Sequence, residues 1–245
     1  MRNLIIDVGN TLVKLAVFEN HTLAFKKSCV KEDFLSVLEE VSNKYSDIND
    51  VIVSSVGNFS DGELSELKKS YKVFVLTHKD PIPFKNNYAS PETLGVDRIA
   101  LVSAATSQFF NKNVLVIDAG TCITYDFINS ENEYLGGAIS PGIKMRYKSL
   151  NSFTEKLPLL EPKNTNKYIG DSTESSIHIG VTQGVVSEME GFISLYKENY
   201  KELTIILTGG DANYLLDSLK NDIFATSNFL LEGLNYILEY NKHTC

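Results

Sequence analysis

The sequence predicts a mixed α/β fold built twice over within one chain. The first observation is a repeat. A run of aliphatic residues ends in Asp, a small residue and Gly, with Thr close behind, and then resumes as a second strand. This happens at Leu4-Ile5-Ile6-Asp7-Val8-Gly9-Asn10-Thr11-Leu12-Val13-Lys14-Leu15-Ala16-Val17-Phe18 and at Leu115-Val116-Ile117-Asp118-Ala119-Gly120-Thr121-Cys122-Ile123-Thr124-Tyr125-Asp126-Phe127-Ile128. The copies align with one residue deleted at Asn10, the mark of an internal duplication. The second observation is that helical and strand patterns alternate after the first copy, the rhythm of a mixed sheet carrying helices.

In each copy β-branched strands lead into and out of a turn, so each reads as a hairpin whose Gly permits a close backbone approach. Phe34, Val37, Leu38 and Val41 then fall at helical spacing within residues 31–45. Residues 51–56 read as a strand ending at Gly57. Leu64 and Leu67 lie on a short charged helix, and residues 72–76 form the next strand. Between Asp80 and Gly95 the pattern breaks at Pro81, Pro83, Asn86, Asn87 and Pro91, which exclude regular structure over a loop long enough to be functional. Residues 98–110 are helical. The second hairpin opens a half that contains Gly136-Gly137-Ala138-Ile139-Ser140-Pro141-Gly142, a helix near 181–196 and a strand over 203–207 running into Thr208-Gly209-Gly210-Asp211. A last helix over 228–240 carries Phe229, Leu230, Leu234, Ile237 and Leu238 and packs back on the core. The boundary falls near 111–113. It divides the chain into 1–112 and 113–245, with the site expected in the cleft between the halves.

Composition narrows the partners. With 43% hydrophobic and 22% charged residues over 245 positions, the chain is a soluble globular protein with ample core. A net charge of −8 argues against nonspecific attraction to nucleic acid or an anionic membrane, both of which need a basic face. No apolar run is long enough to span a bilayer, and the first strand begins at Leu4 without a leader, so the expected location is the cytoplasm and the expected partner a small molecule. Cys29, Cys122 and Cys245 are few and far apart, which fits a reducing compartment and neither a disulfide framework nor a zinc site. Cys122 reads as a packing residue. His21, His78, His178 and His243 show no paired ligand spacing and read as surface or satisfied core.

The chemistry sits at the turns. Backbone N–H groups and Thr hydroxyls there can hold phosphoryl oxygens, whereas Asp7 and Asp118 must face a cation, a water or a transferable proton. Two acidic turns facing each other therefore suggest a nucleotide–metal site, although Asp and Gly also suit ordinary hairpin turns. Gly95-Val96-Asp97-Arg98 joins the long loop to a helix. Asp97 stands where an N-cap would be; beside Arg98 it also offers a base next to a guanidinium able to bind a carboxylate or phosphate. Thr208-Gly209-Gly210-Asp211 can let a ligand lie against backbone or can be a tight strand-to-helix turn. Residues 136–142 can form a bulged turn or receive an anion at the following helix. There is no Walker A loop and no strand-linked G-x-G-x-x-G.

Asp7-Val8-Gly9-Asn10-Thr11 with Lys14, Gly95-Val96-Asp97-Arg98, Asp118-Ala119-Gly120-Thr121, Gly137-Ala138-Ile139-Ser140-Pro141-Gly142 and Thr208-Gly209-Gly210-Asp211 resemble, in order and over nearly the whole chain, the motifs of type III pantothenate kinases. The resemblance implies duplicated ribonuclease H-like (actin-like ATPase) domains, each a mixed five-stranded sheet with flanking helices, and a nucleotide in the interdomain cleft. It implies phosphorylation of pantothenate by ATP and Mg²⁺ to 4'-phosphopantothenate, the first step of coenzyme A synthesis. Asp7, Val8, Gly9, Asn10, Thr11, Leu12, Val13 and Lys14 would line the ATP phosphates, and Thr121 would contact nucleotide. Asp118 would bind a monovalent cation, K⁺ or NH₄⁺, and Asp97 would be the proton acceptor. Tyr88, Gly95, Val96, Asp97 and Arg98 would hold pantothenate, with Thr173 completing the pocket across a homodimer interface; Ser172 and Ser175 offer alternative hydroxyls.

The residues suit those roles. Phosphoryl transfer asks the enzyme mainly to position groups and neutralise charge, so N–H-donating turns, cation-holding carboxylates and one base near the acceptor form a sufficient kit. Two other readings stand beside the kinase: a nonenzymatic nucleotide-binding regulator of the same family, and a superfamily kinase with another acceptor. Retention of Asp7, Asp97 and Asp118 weighs against the regulator. Gly95 to Arg98 weighs against a general sugar kinase.

Overall fold

The structure, a computed structural model, describes residues 2–55, 60–165 and 167–242. The chain forms two compact units, one of Met1–Phe110, Asn132–Tyr134 and Asn228–Cys245, the other of Asn111–Glu131 and Leu135–Ser227. The chain passes from the first unit to the second at Asn111. The final helix, however, belongs to the first unit and not to the half in which the 113–245 division puts it.

The first unit holds β1 (Arg2–Val8), β2 (Val13–Glu19), β3 (Thr22–Cys29), α1 (Phe34–Lys44), β4 (Ile48–Ser55), α2 (Asp61–Ser70) and β5 (Lys72–Val75). The five strands form one sheet in the order β3-β2-β1-β4-β5. β1 runs antiparallel to β2 and parallel to β4. Strand alternation sorts the side chains by face. Leu4, Ile6 and Val8, with Leu15, Val17, Val51 and Val53, pack under Phe34, Val37, Leu38 and Val41 of α1 and Leu67 of α2. Val56 and Gly57, the expected end of β4, lie outside the described residues, as do His243 and Cys245.

On the other face lie α3 (Val96–Gln108) and the last helix of the chain, which pack on each other and on β1 and β4. Residues 98–106 of α3 are all buried. Gly233 of the last helix is required there, because a Cβ would stand 1.9 Å from the Ala100 carbonyl oxygen. Lys242, near the end of that helix, donates to Asn3 Oδ1 at 2.7 Å and Glu239 Oε1 at 2.9 Å and pairs with Asp50 at 3.2 Å. Asn3, fully buried, also donates to Asn235. The long loop is less irregular than its prolines suggest. It carries β6 (Lys85–Asn86), which pairs in parallel with Glu133 and Tyr134, and a 3₁₀ turn at Pro91–Thr93.

The second unit holds β7 (Val114–Ala119), β8 (Cys122–Ile128), most of β9 (Glu133–Pro141), α4 (Ile143–Ser152), α5 (Thr173–Asn199), β10 (Thr204–Thr208), α6 (Ala212–Leu216) and β11 (Phe224–Ala225); the last helix is α7 (Phe229–Lys242). The order β9-β8-β7-β10-β11 repeats that of the first sheet strand for strand, and β6 at the β9 end makes a sixth, where five were expected. β7 again runs antiparallel to β8 and parallel to β10. Its core joins Leu115, Ile117, Ile123, Tyr125 and Phe127 to Ile177, Val181, Val185, Met189 and Ile193 of α5. Among the described residues no helix is long and apolar enough to cross a membrane.

Candidate active site

The duplicated hairpins place their carboxylates at matching positions. In the first, Gly9 N–H donates to Leu12 O at 3.1 Å; in the second, Gly120 N–H donates to Cys122 O at 2.9 Å, a turn one residue shorter. The register then pairs Asp7 with Lys14 and Asp118 with Thr124. The duplication thus keeps the acid in both units and the lysine in the first alone.

Asp7 is 3% exposed, and Lys14 Nζ approaches its Oδ2 at 3.2 Å. Burial raises the Asp7 pKa, Lys14 opposes the rise, and the charge of Asp97 adds to it. Ser54 stands beside Asp7 in the parallel register of β4, so both side chains point to the same sheet face. Its hydroxyl is wholly buried with no hydrogen-bond partner among the described residues. Asn10, Thr11 and Leu12 are exposed, which leaves the turn's backbone open to a ligand; Val8 and Val13 are core residues that hold its ends.

Asp97 is not the N-cap of α3. Gly95 occupies that place without a side-chain bond, Val96 begins the helix, and Asp97 lies in the first turn, its Oδ1 accepting the Arg98 N–H at 2.8 Å. The helix thus begins two residues before the point that an N-cap at Asp97 implies, and it begins without a side-chain cap. Arg98 is buried, and its guanidinium sits 5.5 Å from the centroid of the Tyr88 ring, a cation–π contact. Tyr88 stacks in turn on Tyr134, which meets the edge of Phe84. The first unit therefore brings Asp7, Lys14, Tyr88, Asp97 and Arg98 together.

In the second unit the Asp118-Ala119-Gly120-Thr121 turn is gripped by glycines from two sides. Gly209 has φ of +98°, and a Cβ there would come within 2.2 Å of Ala119 O and 2.3 Å of Asp118 Oδ1. A Cβ on Gly142 would stand 2.1 Å from Gly120 O. Asp211 N–H donates to Ala119 O at 2.9 Å, and Gly142 N–H to Thr121 O at 3.1 Å. By contrast, a Cβ on Gly210 would meet open space, and Gly210 and Thr121 are exposed. Burial raises the Asp211 pKa.

Thr173 belongs to this unit as the first residue of α5 and lines a pocket of about 630 Å³ with Arg146, Leu150, Leu157, Ile177 and Val181 among others. Ser172 and Ser175 are spent in a capping box, Ser175 N–H donating to Ser172 Oγ at 3.2 Å and Ser172 N–H to Ser175 Oγ at 2.9 Å. Of the three hydroxyls considered, Thr173 is the one left outside the cap. His178 is a satisfied core residue, its Nδ1 2.8 Å from Tyr147 OH. Sequence reasoning missed a cluster here: Glu188 with Arg146 at 2.6 Å, Ser140 at 2.5 Å and Tyr125 at 3.0 Å. Its members lie too far apart in the chain to make a motif.

Two sheets of one strand order, each with an acid at the end of its first strand, define the class of the actin-like ATPases and sugar kinases. Solved structures agree on the fold. A Campylobacter jejuni protein described as a conserved Baf family transcriptional activator aligns with a TM-score of 0.66 at 21% identity, covering 98% of this chain and 99% of its own. The activator of the 2-hydroxyisocaproyl-CoA dehydratase from Clostridium difficile, with bound ADPNP, aligns at 0.57 and 14% identity over 98% and 94%. Within that class the chain belongs to the type III pantothenate kinase family, whose model matches residues 3–195. It is 53% identical over 240 residues to the type III pantothenate kinase of Christiangramia forsetii, covering 98% of this chain and 99% of that one.

Proposed function

We propose that this protein transfers the γ-phosphoryl group of ATP to pantothenate, giving 4'-phosphopantothenate, the first step of coenzyme A biosynthesis, with Asp97 as the proton acceptor. Family membership over nearly the full chain supports the reaction. The observation that best supports the residue roles is the grouping in the first unit. A phosphate-side carboxylate with its lysine, Asp7 and Lys14, lies within electrostatic reach of Asp97, which adjoins an arginine held over an aromatic ring.

Lys14 and the exposed N–H groups of Asn10 and Thr11 hold the phosphates, within the stretch from Asp7 to Val13, and Thr121 contacts the nucleotide. Arg98, with Tyr88, Gly95 and Val96, holds the pantothenate carboxylate end. As the acceptor hydroxyl bonds to the γ-phosphorus and the bond to the β,γ-bridging oxygen breaks, the hydroxyl proton passes to the Asp97 carboxylate and ADP leaves. In a loose transition state that proton leaves late, so Asp97 need not be strongly basic.

The residues fit the implied cations. Asp7 is a buried carboxylate raised in pKa against a single adjoining lysine, beside the buried Ser54 hydroxyl, and a divalent ion there would meet oxygen ligands of the kind magnesium takes. Magnesium supplies charge neutralisation on the phosphates. Asp118, with carbonyl oxygens of its own turn close by, offers an all-oxygen set suited to K⁺ or NH₄⁺. Thr173 serves the pocket of a second subunit in a homodimer, a reading supported by its open hydroxyl and by Phe153, Tyr168 and Ile169 at 87%, 84% and 73% exposure. The scattered cysteines and acidic charge support a cytoplasmic setting.

The test is a coupled ADP-release assay with ATP, magnesium and potassium, with and without pantothenate, the product confirmed by mass. Pantothenate-dependent turnover establishes the reaction on this chain. ATP binding without such turnover would favour a nucleotide-binding regulator or another acceptor.

A further inference from the structure

The Glu188 cluster is a charged, hydrogen-bonded assembly to which no role is given above, although Arg146 also lines the pocket at Thr173, and it holds a specific piece of backbone. Glu188 lies in the middle of α5, the helix that begins at Thr173. One carboxylate oxygen accepts from Ser140 Oγ at 2.5 Å and from Tyr125 OH at 3.0 Å; the other accepts from Arg146 Nη2 at 2.6 Å. Hydrogen bonds from Arg146, Ser140 and Tyr125 outweigh desolvation and lower the Glu188 pKa, so the carboxylate is ionised at neutral pH. Tyr125 is pushed upward, chiefly by burial, and stays a neutral donor.

Arg146 also donates from Nε to Pro141 O at 2.8 Å. The side chains of α4 and α5 thus fasten Ser140 and Pro141 together. The next residue, Gly142, donates its N–H to Thr121 O and packs so closely on the turn that a Cβ would strike Gly120 O and Thr121 O. The path from Glu188 to the Asp118-to-Thr121 turn is therefore contiguous: carboxylate, Ser140 hydroxyl, Pro141 carbonyl, Gly142 amide, Thr121 carbonyl. Every link is a hydrogen bond or a covalent neighbour.

We propose that Glu188 and Arg146 are a positioning pair for the nucleotide turn, acting through the Ser140-Pro141-Gly142 segment. The inference rests on the reading of Thr121 as a nucleotide contact. Without the pair, the segment keeps its β9 ladder but loses the charged fastening that sets its distance from Gly120 and Thr121. Charge-assisted bonds of this kind are the strong ones, and they fix geometry as well as energy.

The test uses the full chain. Binding of a fluorescent ATP analogue with magnesium, without acceptor, is titrated for wild type, Glu188→Gln and Ser140→Ala, and the melting temperature of each is recorded. The expected result is a dissociation constant raised about tenfold in Glu188→Gln, equivalent to about 1.4 kcal/mol, and by a smaller factor in Ser140→Ala. In turnover, KM for ATP rises in step while KM for pantothenate stays within about twofold. Unchanged nucleotide affinity in both variants overturns the proposal. So does an equal loss for both substrates that tracks a fall in melting temperature, since that is what a merely structural cluster gives. Should Glu188→Gln fail to fold, Ser140→Ala decides the matter alone. Nucleotide binding by wild type without pantothenate turnover overturns the substrate reading, and the binding comparison still decides the positioning role.

Discussion

Replacing Asp7 with Asn separates what that residue costs the fold from what it does for function. Asp7 is 3% exposed, and its adjoining cation, Lys14, has a side chain 39% exposed, so the charge is buried against a partner that solvent partly screens. Burial raises its pKa above the ordinary 3.8 and Asp97 adds to the rise. A carboxyl raised in the folded state contributes stability that is full below the unfolded pKa and lost as pH rises through the folded value. At neutral pH Asp7 therefore weakens the ligand-free fold, and because the half-exposed Lys14 can be solvated without it, Asp7→Asn is expected to strengthen the fold by about 1 kcal/mol, the scale of a single pKa unit of difference between charged and neutral forms. For a chain of this size that is a rise of about 2–4 °C in melting temperature. ATP with magnesium reverses the order. At a concentration of about 100 times Kd, binding stabilises wild type by about 2.7 kcal/mol, which a variant unable to bind does not gain. A thermal-shift assay with and without ATP and magnesium, repeated near pH 3 where both side chains are neutral, reads all of this. A ligand-free variant that melts below wild type at pH 7, or a gain that persists unchanged at pH 3, refutes the reasoning.

Asp97→Asn is expected to lower turnover at least about a hundredfold while ATP still binds, the usual contribution of a general base; near-normal turnover removes Asp97 from the mechanism. Replacing potassium with sodium in the ADP-release assay should depress activity if Asp118 holds a selective cation, and indifference to the exchange undoes that assignment. Mixing inactive Asp97→Asn and Thr173→Ala proteins should restore activity after subunit exchange; no recovery despite demonstrated exchange means each site is built within one chain. Gly233→Ala, which drives a Cβ against the Ala100 carbonyl, should cost about 1–3 kcal/mol. Calorimetry showing a wild-type melting temperature would mean that α3 and α7 separate without penalty.

The duplicated hairpins were legible because each writes its whole plan locally: aliphatic strands, an acid, a glycine. β3 is hard to read as a strand because its alternation lasts only from Thr22 to Lys26, with Leu23 and Phe25 half-buried, and gives way to the exposed Lys26, Lys27 and Ser28. β9 was hidden by its own glycines. Gly137 looks like a turn residue, but it serves a close crossing, since a Cβ there would stand 1.5 Å from the Tyr125 carbonyl oxygen. β6 exists through pairing with residues 48 positions away, which no local pattern encodes. In the site, Asp97, Arg98 and the phosphate turn carried motifs. The contact between Tyr88 and Arg98 depends on how the long loop folds back, and Glu188 draws partners from 42, 48 and 63 residues upstream, so neither contact leaves a local trace.

The return of α7 makes the first unit discontinuous along the chain, and this bears on biosynthesis. Its central strand β1 leaves the ribosome before the second unit, yet the helix that covers Asn3 and Asp50 and carries Lys242 follows that unit. Residues of the second unit up to Ser227 are all synthesised in between. The second unit can thus close its core while the first still awaits a wall, reversing the usual N-to-C order of domain maturation. A frameshift or early stop within α7 would spare the second unit's core and leave α3 uncovered, so truncation within α7 should yield a half-matured, chaperone-dependent polypeptide.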